Sequence, residues 1–173
     1  NLLKRDFTTT GPNQKWSIDI TYIHTSEGIE YLCAIKDLYD KSIIAYRLSR
    51  YNDNPLVLDT VIDALTHVPY EQRSNLILHS DQGSQFTSND YTKLLKKYNV
   101  SHSVSYRGSC VDNVPIESWF SLLKCEILKL HSNITRNQAR QLVSDYVIYY
   151  NHHRLQEQLK ELTPIQYRLS ALN

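Results

Sequence analysis

Residues 16–23 read Trp16-Ser17-Ile18-Asp19-Ile20-Thr21-Tyr22-Ile23. Apolar and polar positions alternate, and β-branched residues recur, so the stretch predicts a β-strand. Its fourth residue is an aspartate, a type disfavoured in strands. A carboxylate held wholly or partly out of water needs a partner or a metal. This strand therefore sets two expectations: a sheet begins here, and the sheet carries an acid at mid-strand.

Working outward, Thr8-Thr9-Thr10-Gly11-Pro12-Asn13 reads as a loop leading into the strand. Ser26-Glu27-Gly28 is a turn, Tyr31 to Lys36 a second strand, Asp37 to Lys41 another turn, and Ser42 to Leu48 a third strand. Tight turns between three strands predict an antiparallel meander. After Asn54-Pro55, Leu58, Val61, Ile62 and Leu65 recur at helical spacing, with Pro55 suited to a first helical turn. Leu76-Ile77-Leu78 is a short buried strand ending at His79-Ser80-Asp81. A helix from Ser88 to Lys97 follows, capped by Ser88 or Asn89, and Val100 to Val104 is a fifth strand. The order predicts an α/β domain with a five-stranded mixed sheet flanked by helices. Its later strands should run parallel, with right-handed crossovers.

The remainder predicts helices. Over 115–130, Ile116, Phe120, Leu123, Ile127 and Leu130 share a stripe about 80° wide. Glu117 and Lys124 sit at one edge of it, roughly 10 Å apart along the axis. Over Gln138 to Tyr150, Ala139, Leu142, Val143, Tyr146, Val147 and Tyr150 form an apolar face that includes Tyr150 but not Tyr149. The expected organisation is a leading segment 1–14, a core 15–130, and a helical extension 131–173 packed on that core.

The chain has 173 residues, 41% hydrophobic and 21% charged, within the range of one ordinary globular domain. No run approaches the ~18 apolar residues of a membrane helix, and the first residues form no signal-peptide core. Cys33, Cys110 and Cys125 are too scattered for a disulfide framework, which favours a reducing, cytoplasmic compartment. The absence of methionine, even at position 1, suggests a part of a longer protein. Net charge is +1, so overall charge gives almost no support for a nucleic-acid partner. The distribution is uneven: residues 51–117 sum to −3 and residues 118–173 to +3. A carboxylate-rich middle beside a basic tail suits a metal site next to a polyanion, although ordinary surface variation gives the same numbers.

Three acids can converge. Asp19 is on a strand. Asp81 is at a strand end, where α/β sheets place ligands, with Gly83 allowing close approach of backbone. Glu117 is on the flank of a helix that must pack on the sheet. Two carboxylates ~4 Å apart repel by about 4 kcal/mol at an effective dielectric of ~20, a repulsion that Mg²⁺ or Mn²⁺ relieves. Two such ions can support in-line phosphoryl displacement with no Ser, Cys or His nucleophile. Taken singly, each acid has a plainer reading: a strand aspartate with a hydroxyl partner, a turn former or cap, and a solvated first-turn glutamate. Asp37, Asp40, Asp59, Asp63 and Asp112 compete for the same roles.

These residues carry a family resemblance. The chain resembles the catalytic core of bacterial insertion-sequence transposases of the two-reading-frame (OrfA–OrfB) class, relatives of retroviral integrases. The likeness runs from Phe7 through Pro12-Asn13-Gln14-Lys15-Trp16 and Asp19-Ile20-Thr21-Tyr22-Ile23 to His79-Ser80-Asp81-Gln82-Gly83-Ser84-Gln85-Phe86-Thr87-Ser88. It continues in Arg107-Gly108-Ser109-Cys110-Val111-Asp112-Asn113 and Ile116-Glu117-Ser118-Trp119-Phe120. It ends in Tyr149-Tyr150-Asn151, Arg154, Thr163-Pro164 and Tyr167. Thirty-five residues separate Asp81 from Glu117, the spacing that defines this integrase-like group. Val114-Pro115 departs modestly from the family pattern. Neither the family's N-terminal helix-turn-helix region nor the integrase zinc domain is seen, and His131, His152 and His153 lack a cysteine at zinc-finger spacing.

The resemblance implies a ribonuclease H-like fold, with Asp19, Asp81 and Glu117 binding two Mg²⁺ or Mn²⁺ ions. It implies nicking of element ends by water, then attack of the exposed 3′-hydroxyl on another phosphodiester. Lys124 would contact DNA, Gly83, Ser84 and Gln85 would form a loop near it, Arg107 could touch phosphate, and Asn113 would shape the segment before the Glu117 helix. The implied partners are DNA and further copies of the chain, without a membrane, in a bacterial cytoplasm at the nucleoid. The alternatives are a ribonuclease H-like nuclease and a domesticated, non-catalytic DNA-binding or assembly module. With near-neutral charge, this core should bind DNA weakly and with little sequence preference.

Overall fold

β1 (Lys15–Thr25) is the central strand of a five-stranded sheet in the order β3-β2-β1-β4-β5. The computed structural model describes residues 1–4, 6–105 and 113–171. β2 (Gly28–Asp37) and β3 (Ile43–Ser49) complete the expected antiparallel meander. β4 (Ile77–Ser80) and β5 (Ser101–Val104) add in parallel on the other side. Between them lie α1 (Asn54–Leu65) and α2 (Asn89–Lys97), each started by a side-chain cap, Asp53 onto Leu56 N–H and Ser88 onto Tyr91 N–H. The mixed sheet flanked by helices matches the sequence expectation.

Alternation along the strands divides the core in two. Trp16, Ile18, Cys33 and Ile35 pack with α1 and α2 residues on one face. Ile23, Leu32, Ala34 and Ile43 pack on the other with α3 (Val114–Glu126) and α4 (Arg136–His152). Asp19 lies opposite Ala34 in the β1–β2 register, and so belongs to the α3/α4 face.

Register brings Asp19 and Asp81 together before any side chain is considered. The β1–β4 ladder runs Lys15–Ile77, Trp16–Leu78 and Ser17–His79, and then stops. Continuing it by two residues on each parallel strand sets Asp19 beside Asp81. The pairing ends immediately before this point, at the carboxyl end of β4 and midway along β1, so the two acids stand where the ladder opens.

The helical tail differs in detail from its expectation. The helix expected over 115–130 ends at Glu126, because Ile127 leaves helical geometry at φ −124° and ψ −59°. Leu128–Leu130 forms a 3₁₀ turn instead. The 100° spacing is lost there, and Leu130 is 74% exposed rather than part of the buried stripe. Glu126 anchors that end, accepting from Arg154 Nη2 at 2.8 Å and Tyr146 O–H at 2.8 Å. α4 begins two residues earlier than expected, since Thr135 and Gln138 form a reciprocal capping box. On it Tyr150 is buried and Tyr149 exposed, as expected. α5 (Pro164–Ser170) starts on a second capping box, Thr163 with Gln166.

Several competing acids are occupied by structural ion pairs. Asp37 and Asp40 are both fully buried, and Arg168 of α5 donates to them at 3.2 and 2.7 Å. Asp59 and Asp63 pair with Arg47 at the surface, and Asp112 lies outside the described residues. Glu30, also buried, is held by Arg136 and Arg140. Removing Arg168 leaves two buried carboxylates that repel each other without their shared cation. Arg168→Ala is therefore expected to cost about 3–5 kcal/mol of stability in urea denaturation; a loss below about 1 kcal/mol contradicts this account of the tail.

Candidate active site

Asp19 is the electrostatic centre of the cleft. Its carboxylate is mostly buried and accepts one backbone hydrogen bond, from Ile20 N–H at 2.8 Å. Burial, opposed by that bond and reinforced by the charges of Asp81 and Glu117, pushes its pKa up from 3.8 to about 7. Glu117, in the first turn of α3, is also raised, by burial and then by Asp81. All three expected acids are thus within electrostatic reach of one another.

Asp81 is placed by a polar network at the end of β4. His79, 1% exposed, lies with Nδ1 2.8 Å from Ser103 Oγ and Nε2 3.1 Å from Ser105 Oγ. Ser80 Oγ donates to the Asp81 carbonyl at 3.0 Å and lies 3.1 Å from His102 Nε2. Gln82 Nε2 donates to the Ser105 carbonyl at 3.1 Å. Asp81 Oδ1 then accepts from Gly83 N–H at 2.8 Å. A Cβ on Gly83 would meet that oxygen at 3.0 Å and the Phe86 ring at 3.2 Å, so a side chain there would press on the Asp81 carboxylate. Ser103 and Ser105 escaped the sequence reading; their i, i+2 spacing on one strand face beside a buried histidine was the available signal.

Glu117 is placed by two clamps on the start of α3. Asn113 Nδ2 donates to the Ile18 carbonyl at 3.1 Å, the residue before Asp19. Lys36 Nζ donates to the Pro115 carbonyl at 2.9 Å. One helix terminus is thereby tied to β1 and β2. Lys36 also escaped the sequence reading, where it was only the end of a strand.

The residues expected to meet DNA divide. Asn113 is 2% exposed with its amide turned inward, so its observed contact is to β1. Gln85 Nε2 is committed to Asn52, at 2.8 Å from Oδ1. Ser84 is exposed, with its hydroxyl 3.2 Å from Gln85 Oε1, and Gly83 is half-buried in the same turn. Lys124 Nζ sits 4.9 Å from the centre of the exposed Tyr22 ring and has its pKa lowered by burial. Arg107 lies outside the described residues.

The donor set suits hard divalent cations such as Mg²⁺: three carboxylates, one buried beside two like charges. Among the described residues, no three His, Cys, Asp or Glu side chains are drawn into ligand distance of a common point. Asp19 and Asp81 each turn an oxygen to a backbone N–H instead.

Comparison with known proteins gives one answer. The family described as integrase core domain matches residues 9–110, and a second integrase core domain description matches residues 117–172. An uncharacterized transposase-like protein of Haemophilus influenzae is 39% identical over 173 residues, covering 100% of this chain and 79% of that protein. The putative transposase InsK for insertion sequence element IS150 of Escherichia coli is 36% identical over 169 residues, covering 97% of this chain and 59% of that one. Transposase InsF for insertion sequence IS3A of Escherichia coli is 38% identical over 168 residues, covering 96% and 58%. The chain thus spans somewhat over half the length of these two transposases. Among solved structures, the HTLV-2 integrase catalytic core domain in complex with magnesium superposes with a TM-score of 0.73 at 13% identity, covering 93% of this chain and 99% of that one. A simian T-cell lymphotropic virus intasome chain gives 0.78 at 14%, covering 92% and 55%. At these identities the likeness is one of fold, ribonuclease H-like.

The raised Asp19 pKa has a sign that can be measured. A folded-state value above the unfolded value means that the folded protein binds more protons, so stability falls as pH rises from about 4 to about 7. In the presence of a chelator, Asp19→Asn is expected to stabilise the protein at pH 8, by up to about 4 kcal/mol, with the gain fading by pH 4. Chemical denaturation across that range checks it; a difference independent of pH contradicts it.

Proposed function

The chain belongs to the integrase core domain family, and from that premise we propose that it is the catalytic core of a bacterial insertion-sequence DNA transposase. The observation that carries this reading is the convergence of three acids: the β1–β4 register sets the half-buried Asp19 beside Asp81, and Glu117 on α3 is close enough to act on both. Among the described residues no cation compensates Asp19, whereas a charge held out of water normally acquires a partner. This chain supplies one elsewhere, where Arg168 meets Asp37 and Asp40.

In this reading Asp19, Asp81 and Glu117 hold two Mg²⁺ or Mn²⁺ ions. Bound there, the ions supply neutralisation of phosphate charge and support for in-line displacement at phosphorus. The protein's own part is placement. Asp19 is fixed by the sheet, Asp81 by the His79–Ser103–Ser105 network and the Gly83 turn, and Glu117 by the Asn113 and Lys36 clamps. Attacking and leaving oxygens are thereby held in one cleft, which is most of what phosphoryl transfer asks of a protein. Lys124, a compact charge on a flexible stem, takes a DNA phosphate beside the cleft, and Ser84 and Gly83 border the strand; Arg107 is a further phosphate contact in the same proposal.

The reaction proposed is hydrolytic nicking of element ends followed by attack of the freed 3′-hydroxyl on a second phosphodiester. The active assembly contains several copies of the chain on DNA. It acts in the bacterial cytoplasm, at the nucleoid. No helix among the described residues is long and apolar enough to cross a membrane.

Labelled duplex DNA incubated with the protein and Mn²⁺ should be nicked and joined. Asp81→Asn, which removes one ligand charge while keeping shape, is expected to lower the rate by about a thousandfold. Full activity in that variant sinks the proposal.

A further inference from the structure

α3 borders two distinct places. Glu117 lies near Asp19 and Asp81, whereas Ser118 and Leu122, one turn apart, line a cavity of about 430 Å³. Lys36 from β2, Lys41 from the β2–β3 turn, Tyr150 of α4 and the segment Arg154–Gln158 after it complete its lining. Three cations and one carboxylate, Glu157, therefore face one small polar space.

The cations are incompletely matched. Lys36 is 5% exposed; its ammonium donates to the Pro115 carbonyl and lies 6.0 Å from the centre of the Tyr150 ring. Among the described residues, no carboxylate lies within ion-pair distance of Lys36 or Lys41. Lys41 Nζ donates to the Leu38 carbonyl at 2.7 Å, and the nearby Asp37 and Asp40 are bound to Arg168. Arg154 is paired with Glu126. An ammonium has three donors, so Lys36 and Lys41 each keep donors beyond the single bond described. Burial, with the charges of Lys41 and Arg154, pulls the Lys36 pKa down to about 7. An anion in the cavity would offset that mutual repulsion.

We propose that this cavity is a phosphate site that takes one phosphodiester of the DNA lying against the acids, giving the transposase core a second DNA contact across α3. The assignment to DNA rests on the function proposed above; the phosphate chemistry rests on Lys36, Lys41 and Arg154 alone. The distance is compatible. A helix with side chains is about 10–12 Å across, or roughly three base steps at 3.4 Å each. A strand engaged at Asp19, Asp81 and Glu117 can thus present a phosphate a few nucleotides away to the cavity.

The test compares wild type with Lys41→Gln and with Lys36→Met/Lys41→Gln. Fluorescence anisotropy measures duplex binding from 50 to 200 mM KCl, and thermal denaturation measures stabilisation by inorganic phosphate. The double variant is expected to reduce the slope of log K against log salt by about 0.9, the value for one phosphate contact. Where the buried substitution prevents folding, the half-exposed Lys41→Gln carries the test, with an expected affinity loss of roughly threefold at 50 mM KCl. An unchanged slope and affinity overturn the proposal. Stabilisation by inorganic phosphate in wild type only, with DNA binding unaltered, also overturns it, making the cavity a site for free phosphate. A wild type that neither nicks nor joins DNA, yet shows the slope difference, defeats the function proposed above and leaves the phosphate contact standing.

Discussion

One carboxylate sets the terms for this domain. Asp19 sits on the central strand of a sheet covered on both faces, with one backbone hydrogen bond and, among the described residues, no cation in ion-pair contact. The same chain handles other buried acids differently. Arg168 reaches from α5 to neutralise Asp37 and Asp40, and Arg136 and Arg140 clamp Glu30. At Asp19 the neighbours are instead two more acids, and the cost appears as a pKa displaced toward neutrality. The arrangement makes chemical sense when the missing charge arrives from outside.

The rest of the fold reads as support for that arrangement. The β1–β4 ladder ends two residues before Asp19 and Asp81, opening the sheet where the acids stand. His79, Ser103 and Ser105 stiffen the strand end that carries Asp81. Asn113 and Lys36 tie the start of α3, and with it Glu117, to β1 and β2. Glu126, bonded to Arg154 and Tyr146, fixes the other end of the same helix against α4. α3 thereby becomes a border to both the acids and the basic cavity.

Much of this was legible in the residues alone, for identifiable reasons. Strands with strict alternation and tight turns, such as 16–23 and 31–36, carry their own signal, and both sheet and connection order followed from them. An aspartate inside such a strand was conspicuous because it breaks the pattern. What could not be read depended on distant partners. The helix over 115–130 looked continuous because apolar spacing persists through Leu130, while the break at Ile127 is a backbone event with no local marker. Lys36 looked like an ordinary strand-end lysine; its burial follows from α3 and the segment after α4 closing over it. Asn113 was expected to shape the start of the Glu117 helix. Its bond to the Ile18 carbonyl, 95 positions away, gives that shaping a mechanism invisible to any local window.

The central claim is that Asp19, Asp81 and Glu117 share divalent cations, and the most direct measurement is crystallographic. Crystals soaked in Mn²⁺ and measured near the manganese absorption edge should show anomalous density in the cleft, within bonding distance of Asp19 and Asp81 and approached by Glu117. Saturating Mn²⁺ that leaves the cleft without anomalous signal, or that is held by other side chains while Asp19 keeps its bond to Ile20, contradicts the account.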